Sequence, residues 1–231
     1  ARWQDESGNS LVDLWRERIE QAQKQFGEKM ISLEELASIE ADIINELAKN
    51  IREEIKSGDE FDLDEITEFR SANCTGHTEL AYILANALGL TAIPTSVLEF
   101  ENRRLYPGEE HIMTLMKLSD GKVIQLDPLA PHPISEPFAL EQAYSKKGYY
   151  LEIQSQDNPL KIHRKIQPLV NKNSLIADIY NHRGAQESDS SVAIIYYQKA
   201  LERDPAFWPA YANLAVAYRS LGRYPEALAS V

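Results

Sequence analysis

The chain has 231 residues, 43% of them hydrophobic and 26% charged, which is enough for one sizeable core and a smaller second module. A formal net charge of -12 argues against binding to phosphate backbones or anionic membranes by bulk electrostatics, and makes a basic partner easier to attract. The single cysteine allows no internal disulfide. No apolar run approaches the ~20 residues that cross a bilayer, and the first residues lack a signal-peptide core, so a cytoplasmic location is the simpler expectation.

Ser10 stands before Leu11, Leu14, Trp15, Ile19, Ala22 and Phe26, the spacing of an amphipathic helix that stops near Gly27, with Trp15 in the core. Ser32 and Glu35 are placed as a capping box, and Ile31 and Leu36 as a hydrophobic staple. Leu36, Ile43, Ile44, Leu47, Ile51 and Ile55 then line a long helix that Ser57-Gly58 ends. The acidic stretch from Asp59 to Glu65 lacks the alternating ligands and central glycine of a calcium loop. It reads as a solvated turn with an N-cap at Asp62.

Phe69 to Ala72 lead into Asn73-Cys74, where the pattern changes. Leu80, Ile83, Leu84, Ala87 and Leu88 recur on one helix face, and Gly89 suits a left-handed cap after it. With Asn73 as N-cap, Cys74 occupies the first helical turn, where backbone amides and the positive end of the dipole favour thiolate over thiol. A lone cysteine is as a rule a small buried hydrophobe; its place at a helix start is what makes Cys74 a candidate nucleophile. His77, one turn further on, reads as a second base, a zinc ligand beside the thiolate or an exposed residue, the last being the expectation.

Thr91 to Phe100, rich in branched and aromatic residues, reads as a strand, with Pro94 marking an edge or an entry bend. Glu101 to Glu110 form a polar connection containing Pro107-Gly108. His111 to Leu118 alternate like a half-buried strand, Ser119-Asp-Gly makes a turn, and Lys122 to Asp127 return as the next strand. An antiparallel hairpin of this kind sets His111 and Asp127 side by side, the geometry in which a carboxylate orients an imidazole. Cys74, His77, His111 and Asp127 are acceptable zinc ligand types, but only the Cys-x-x-His spacing supports such a site, and no metal is assigned. His132, His163 and His182 show no partner in the sequence.

Pro128, Pro131, Pro133 and Pro137 stiffen the next segment, followed by a short helix from about Phe138 to Lys146 and two strand-like runs, Tyr149 to Ile153 and Leu160 to Ile166, that would widen the sheet. Pro168 to Asn173 is the best domain boundary, giving a first domain over 1–170 and a helical segment over 171–231. That segment aligns with itself at a period of 34 residues. Tyr196 to Pro205 resemble the close of a tetratricopeptide repeat, and Tyr211 to Ala227 the body of the next. Ile176, Tyr180 and Arg183-Gly184 fit the opening helix if the turn from Ala185 to Ser191 is four residues longer than usual. Such repeats bury their faces on neighbours, so the array is expected to continue beyond Val231 or to dock on the first domain. Tyr180, Tyr211 and Tyr218 are candidate partner-binding residues there, with the repeat core as the competing place for them.

The order Asn-Cys74 with its Leu-Gly-Leu-ended helix, His111 opening a strand, and Leu-Asp127-Pro closing the next resembles the transglutaminase-like branch of the papain-like cysteine enzymes. The family often carries an aromatic residue after the nucleophile and another after the histidine; here Thr75 and Ile112 stand instead. Bacterial proteins join such domains to tetratricopeptide repeats, and this chain looks similar. The resemblance implies an α+β fold, helices on a small antiparallel sheet followed by repeat helices, and a Cys74-His111-Asp127 triad acting on amide or acyl bonds of a protein or peptide. Asn73 would then stand near the oxyanion, and no cofactor is required. The alternative is an inactive relative that serves as a protein-binding scaffold through its repeats. The absence of a phosphate-cradling glycine loop or dinucleotide motif leaves no role for nucleotides or nucleic acid.

Overall fold

A computed structural model describes residues 3–4, 7–60, 63–100, 103–104, 111–130, 132–148, 150–154, 163–169 and 172–230. Mixed helix and sheet build it, in two compact units, one of residues 1–103 and 111–168, the other of residues 104–110 and 169–231.

In the first unit α1 (Leu11–Gly27) begins at Ser10, whose hydroxyl accepts from Asp13 N, and α2 (Leu33–Glu54) begins with both bonds of the Ser32/Glu35 capping box. The long helix ends before Ser57. Ile55 is already extended, and Lys56–Ser57 form β1, which pairs in parallel with β2 (Ser71–Ala72). Between them lies α3 (Leu63–Phe69); the expected N-cap Asp62 falls outside the described residues. α4 (Cys74–Ala87) and β3 (Thr91–Phe100) follow as their sequence patterns require.

The sheet runs in the order β6-β5-β3-β9-β8-β7, with β4 (Arg103–Arg104) paired to β3 off this path; β5 is His111–Lys117, β6 Val123–Leu126, β7 Tyr144–Lys147, β8 Tyr150–Ile153 and β9 His163–Pro168. β5 and β6 pair antiparallel, with Thr114 opposite Leu126 and Lys117 opposite Val123. Pro94 is not on an edge strand, since β3 lies between β5 and β9; the β9 pairing stops at Thr95, so Pro94 has a paired neighbour on the β5 side only. That is why the missing amide is tolerated. The half-buried alternation expected of β5 also fails: residues 112 to 116 are all buried. One face carries Met116 into a core with Trp15, Ile44, Leu47, Ala81 and Ile124, and the other carries Met113 and Leu115 against Val97, Tyr144 and Ile166.

The helix expected from Phe138 to Lys146 is a single turn, α5 (Leu140–Ala143), because Tyr144 turns back to the sheet with its ring buried and starts β7. Tyr149 and the run from residue 155 to 162 lie outside the described residues. The proline-rich segment lies along β6 and covers that edge: Val123 and Phe138 exchange backbone bonds of 2.9 Å, and Ser135 N donates to Gln125 O at 3.0 Å. Buried Glu40 on α2 fixes the β5–β6 turn by accepting from Ser119 N at 2.7 Å and Ser119 Oγ at 2.6 Å.

The second unit holds α6 (Lys172–Gln186), α7 (Ser190–Arg203), α8 (Trp208–Ser220) and α9 (Tyr224–Ala229), each packed on the next. The long turn expected from Ala185 to Ser191 is shorter: α6 runs through Gln186, and Asp189 caps α7 by accepting from Ser191 N, leaving residues 187–189 as the connection. Asn213 Nδ2 donates to Asn181 Oδ1 at 2.9 Å, tying α8 to α6 through two buried amides.

Gly184 is where α6 meets α7 most closely, because a Cβ there would stand 2.5 Å from Tyr197 Cε1. Gly184→Ala is therefore expected to overpack the helix pair and cost about 1–3 kcal/mol. The urea midpoint of helix unfolding should fall, and Tyr197→Leu in the same chain should recover part of the loss as a coupling energy. Strictly additive effects would show that the close approach is not what the glycine serves.

Candidate functional site

The start of α4 is held by several independent bonds. Gly58 N donates to Ala72 O at 3.0 Å, Asn73 N to Glu60 O at 2.8 Å, and Gly76 N to the capping Asn73 Oδ1 at 3.0 Å. A Cβ on Gly76 would lie 2.7 Å from Ile66 Cδ1 and 2.8 Å from Glu60 O, so a glycine lets α3 and the β1–β2 loop close against the first turn. Cys74 is the first residue of that helix and is half-buried.

His77 is buried rather than exposed. Its Nδ1 lies 2.9 Å from Asn73 O and its Nε2 3.5 Å from Ile55 O, so the ring folds under its own first turn and ties α4 to the end of α2. Two carbonyls receive it where the sequence showed only a polar residue. Asn73 is likewise occupied: its backbone amide serves Glu60, and its side-chain amide lies 3.4 Å from Asp59 O, a long bond that turns the group toward the loop. These bonds direct the backbone amide and one side-chain donor of Asn73 to the loop.

His111 opens β5, and Asp127 directly follows β6 on the neighbouring antiparallel strand. His111 Nε2 lies 2.7 Å from Asp127 Oδ2, and the histidine also hydrogen-bonds Cys74. With Nε2 turned to the carboxylate, Nδ1 is left for the sulfur. Burial works against the His111 cation, but hydrogen bonds to Asp127 and Cys74 and their negative charge outweigh it and raise the ring to about 10. Burial would also raise Asp127, yet the bonds from His111 and His163, and then their charge, hold the carboxyl well below the usual carboxylate range. The His111 side chain keeps 17% of its surface exposed and Asp127 only 4%, so the cysteine end of the cluster meets solvent and the carboxylate end does not.

His163 is the residue that sequence reasoning missed. Buried at the start of β9, it brings Nε2 to 3.0 Å from the same Asp127 Oδ2, and its ring lies parallel to that of His111 at 6.3 Å between centroids. Phe100 touches both rings, at 5.4 and 5.6 Å. Behind them Gln125 Nε2 donates to Tyr144 Oη at 2.9 Å, and that hydroxyl donates to His163 O at 2.8 Å. Burial pushes the Tyr144 hydroxyl up to about 12, against a smaller opposing pull from Gln125, so it stays a donor at neutral pH. No spacing in the sequence links residues 36 positions apart; only the alternation of β9 and a histidine at its start offered a signal. Among the described residues, His111, Asp127 and His163 also form a group whose ligand atoms all lie within 4.8 Å of one another. His132 is exposed, and His182 Nε2 is 3.8 Å from Asp178 Oδ2.

A cleft of about 460 Å³ opens beside α2, lined by Asn45, Lys49, Arg52, Lys56, Pro133 and Ile134 among others, and none of Cys74, His111 and Asp127 borders it. On the helical unit, Tyr211 is 39% exposed while Tyr218 is buried, its hydroxyl accepting from Gln198 Nε2 at 3.2 Å and its ring covered by Arg223. Tyr218 thus belongs to the core of the helix pair and not to a partner-binding face. Tyr180 and Tyr196 are half-buried and flank Lys199 Nζ at 5.9 and 5.4 Å.

Asp127→Asn tests the charge balance. Burial of the His111 ring persists in that variant while the largest force raising it is removed, so the imidazole should titrate well below its parent value of about 10. The His111 ring proton, followed by NMR against pH in chelator-treated protein, reads this directly. Stability follows the sign: the His111 contribution, full below about 6.5, is lost as pH rises through about 10 in the parent, and this loss should vanish in the variant. An unchanged titration would mean that Asp127 does not govern the ring.

A family model of the tetratricopeptide repeat matches residues 196–229, the stretch from within α7 to α9. No curated protein and no solved structure matches the chain. Helices α7 to α9 therefore contain a tetratricopeptide repeat, a helix-pair module whose known use is protein-protein interaction, and no described helix is long and apolar enough to cross a membrane.

Proposed function

We propose that residues 1–170 form a thiol enzyme of transglutaminase-like, papain-like type, acting on an amide or acyl bond of a protein or peptide, and that residues 171–231 serve partner binding. The observation that carries the reading is His111 bonded both to Asp127, at 2.7 Å, and to Cys74 at a helix start. A buried carboxylate, an imidazole and a thiol in that series are the parts of nucleophilic acyl transfer.

In this reading His111, already protonated beside Asp127, pairs with the Cys74 thiolate, whose sulfur bonds to the substrate carbonyl carbon. The carbon–nitrogen bond then breaks, the proton passes from His111 to the leaving amine, and a thioester remains on Cys74. Water or a second amine attacks the thioester and gives its proton to His111, and the sulfur leaves as the thiolate paired with that imidazolium. Asp127 holds the imidazole with Nε2 inward and balances its charge throughout. The first turn of α4 supplies the positive field for the oxyanion. Thr75 and Ile112 are both buried, so the aromatic walls common in the family are not replaced at the surface by these positions. None of the steps calls for a cofactor.

A second reading, a scaffold without catalysis, is favoured by the repeat match alone. The two part on the thiol. At pH 6 the folded chain should react with iodoacetamide about tenfold or more faster than its urea-unfolded form, and His111→Ala should remove most of the difference with the fold intact. A structural cysteine reacts faster once unfolded, because it gains access. Cys74 inert in the folded chain from pH 6 to pH 8 would sink the enzyme reading and leave the scaffold.

For the repeats, Tyr211 and Val216 are exposed at 39% and 49% on α8, so Tyr211→Ala with Val216→Ala should leave helix content unchanged and lose a protein partner. The check is cross-linking of parent and variant to the same partner preparation. Identical cross-linked products would remove this face from partner binding.

A further inference from the structure

His111 Nε2, Asp127 Oδ2 and His163 Nε2 converge in a way that orienting one imidazole does not require. A catalytic carboxylate needs a single histidine, yet here a second one, buried and on a different strand, aims the same ring atom at the same oxygen at 3.0 Å. On a tetrahedral zinc ion with bonds of ~2.0–2.1 Å, neighbouring ligand atoms stand ~3.3 Å apart. The two nitrogen-to-oxygen distances, 2.7 and 3.0 Å, fall short of that by about 0.6 and 0.3 Å, and one ligand atom from each of the three residues lies within 4.8 Å of the others.

We propose that His111, Asp127 and His163 form a binding site for one zinc-class divalent cation, with a fourth position left to water. Two imidazoles and one carboxylate suit zinc and its borderline neighbours, whereas calcium and magnesium want six or more oxygens. Backbone bonds hold the ligands in place. Asp127 Oδ1 accepts from Leu129 N at 3.3 Å, Asp127 N donates to Pro133 O at 2.8 Å, and Tyr144 fixes the backbone of His163. A chain of formal charge -12 also concentrates cations near it. Cys74 lies outside this group of three ligand atoms and is not a ligand in the arrangement. His77, which the sequence offered as a ligand, is committed to two carbonyls elsewhere.

The ion occupies the Nε2 lone pair of His111 and the oxygen that orients it, so cation binding and proton shuttling exclude each other. That consequence, a thiol centre silenced by zinc, rests on the enzyme reading above. The binding itself does not.

The test uses the full chain without an affinity tag, stripped with chelator, titrated calorimetrically with zinc chloride and examined spectroscopically with cobalt(II). One equivalent per chain is expected, with affinity lowered about 100-fold or more by His163→Gln and by Asp127→Asn, beyond the 10–100-fold that loss of a supporting partner costs. Cys74→Ser should bind zinc like the parent. Circular dichroism checks that each variant folds. The parent's cobalt spectrum needs no variant: low-coordinate d–d bands without a thiolate charge-transfer band are expected. No stoichiometric binding, undiminished binding in folded His163→Gln, or a thiolate band would each overturn the proposal. Zinc binding that fails while Cys74 still labels removes only the metal site, and a cysteine inert to label with zinc still bound removes only the enzyme.

Discussion

The Asp127 carboxylate is the constraint on which this arrangement depends. A carboxylate with 4% of its side-chain surface exposed is tolerated only if its oxygens are met by donors, and here Oδ2 meets two histidines and Oδ1 a backbone amide. Those donors arrive from β5, from β9 and from the turn after β6, so three pieces of chain must be in register before the charge is satisfied. The edge cover formed by residues 133 to 138 belongs to the same logic, because Pro133 O takes the amide of Asp127 itself. Displacing any of these strands would leave a buried anion short of partners. The sheet and the site are thus stabilised together.

The thiol side of the cluster is built separately. α4 reaches the mouth of the sheet because β1, β2 and the loop at Glu60 hold its first turn, and because Gly76 removes a side chain where α3 closes in. Buried His77 binds the same turn to the end of α2. Cys74 and His111 then meet from different structural layers, one on a helix and one on a strand. Such a division lets the thiol be positioned by local capping and the imidazole by long-range strand pairing, two requirements that do not compete for the same residues.

The helical unit follows another rule. Each of its helices is too small to bury its own apolar face and packs on the next, with a glycine at the tightest contact and paired amides between α6 and α8. Its aromatic residues divide accordingly. Tyr218 fills the core, Tyr211 faces solvent, and Tyr180 and Tyr196 sit between, around Lys199.

Local chemistry was legible in the sequence because its causes are local. Ser10, Ser32 with Glu35, and Asn73 announce helix starts through side chains that reach amides two or three residues on, and the repeat period emerges from residues 34 apart that occupy equivalent places. The pairing of His111 with Asp127 could be anticipated because one short turn joins their strands and fixes the register. What only the tertiary structure decided was contact between distant pieces of chain. Nothing near His163 marks it as a partner of Asp127, Pro94 reads as an edge residue until β3 is seen to lie between β5 and β9, and Tyr144 leaves its helical pattern for a buried hydroxyl bond. His77 shows the same limit: its polarity predicts exposure, and two carbonyls that flank the ends of separate helices overrule it, because the sequence states what a side chain can bond but the fold decides which distant partner comes within reach.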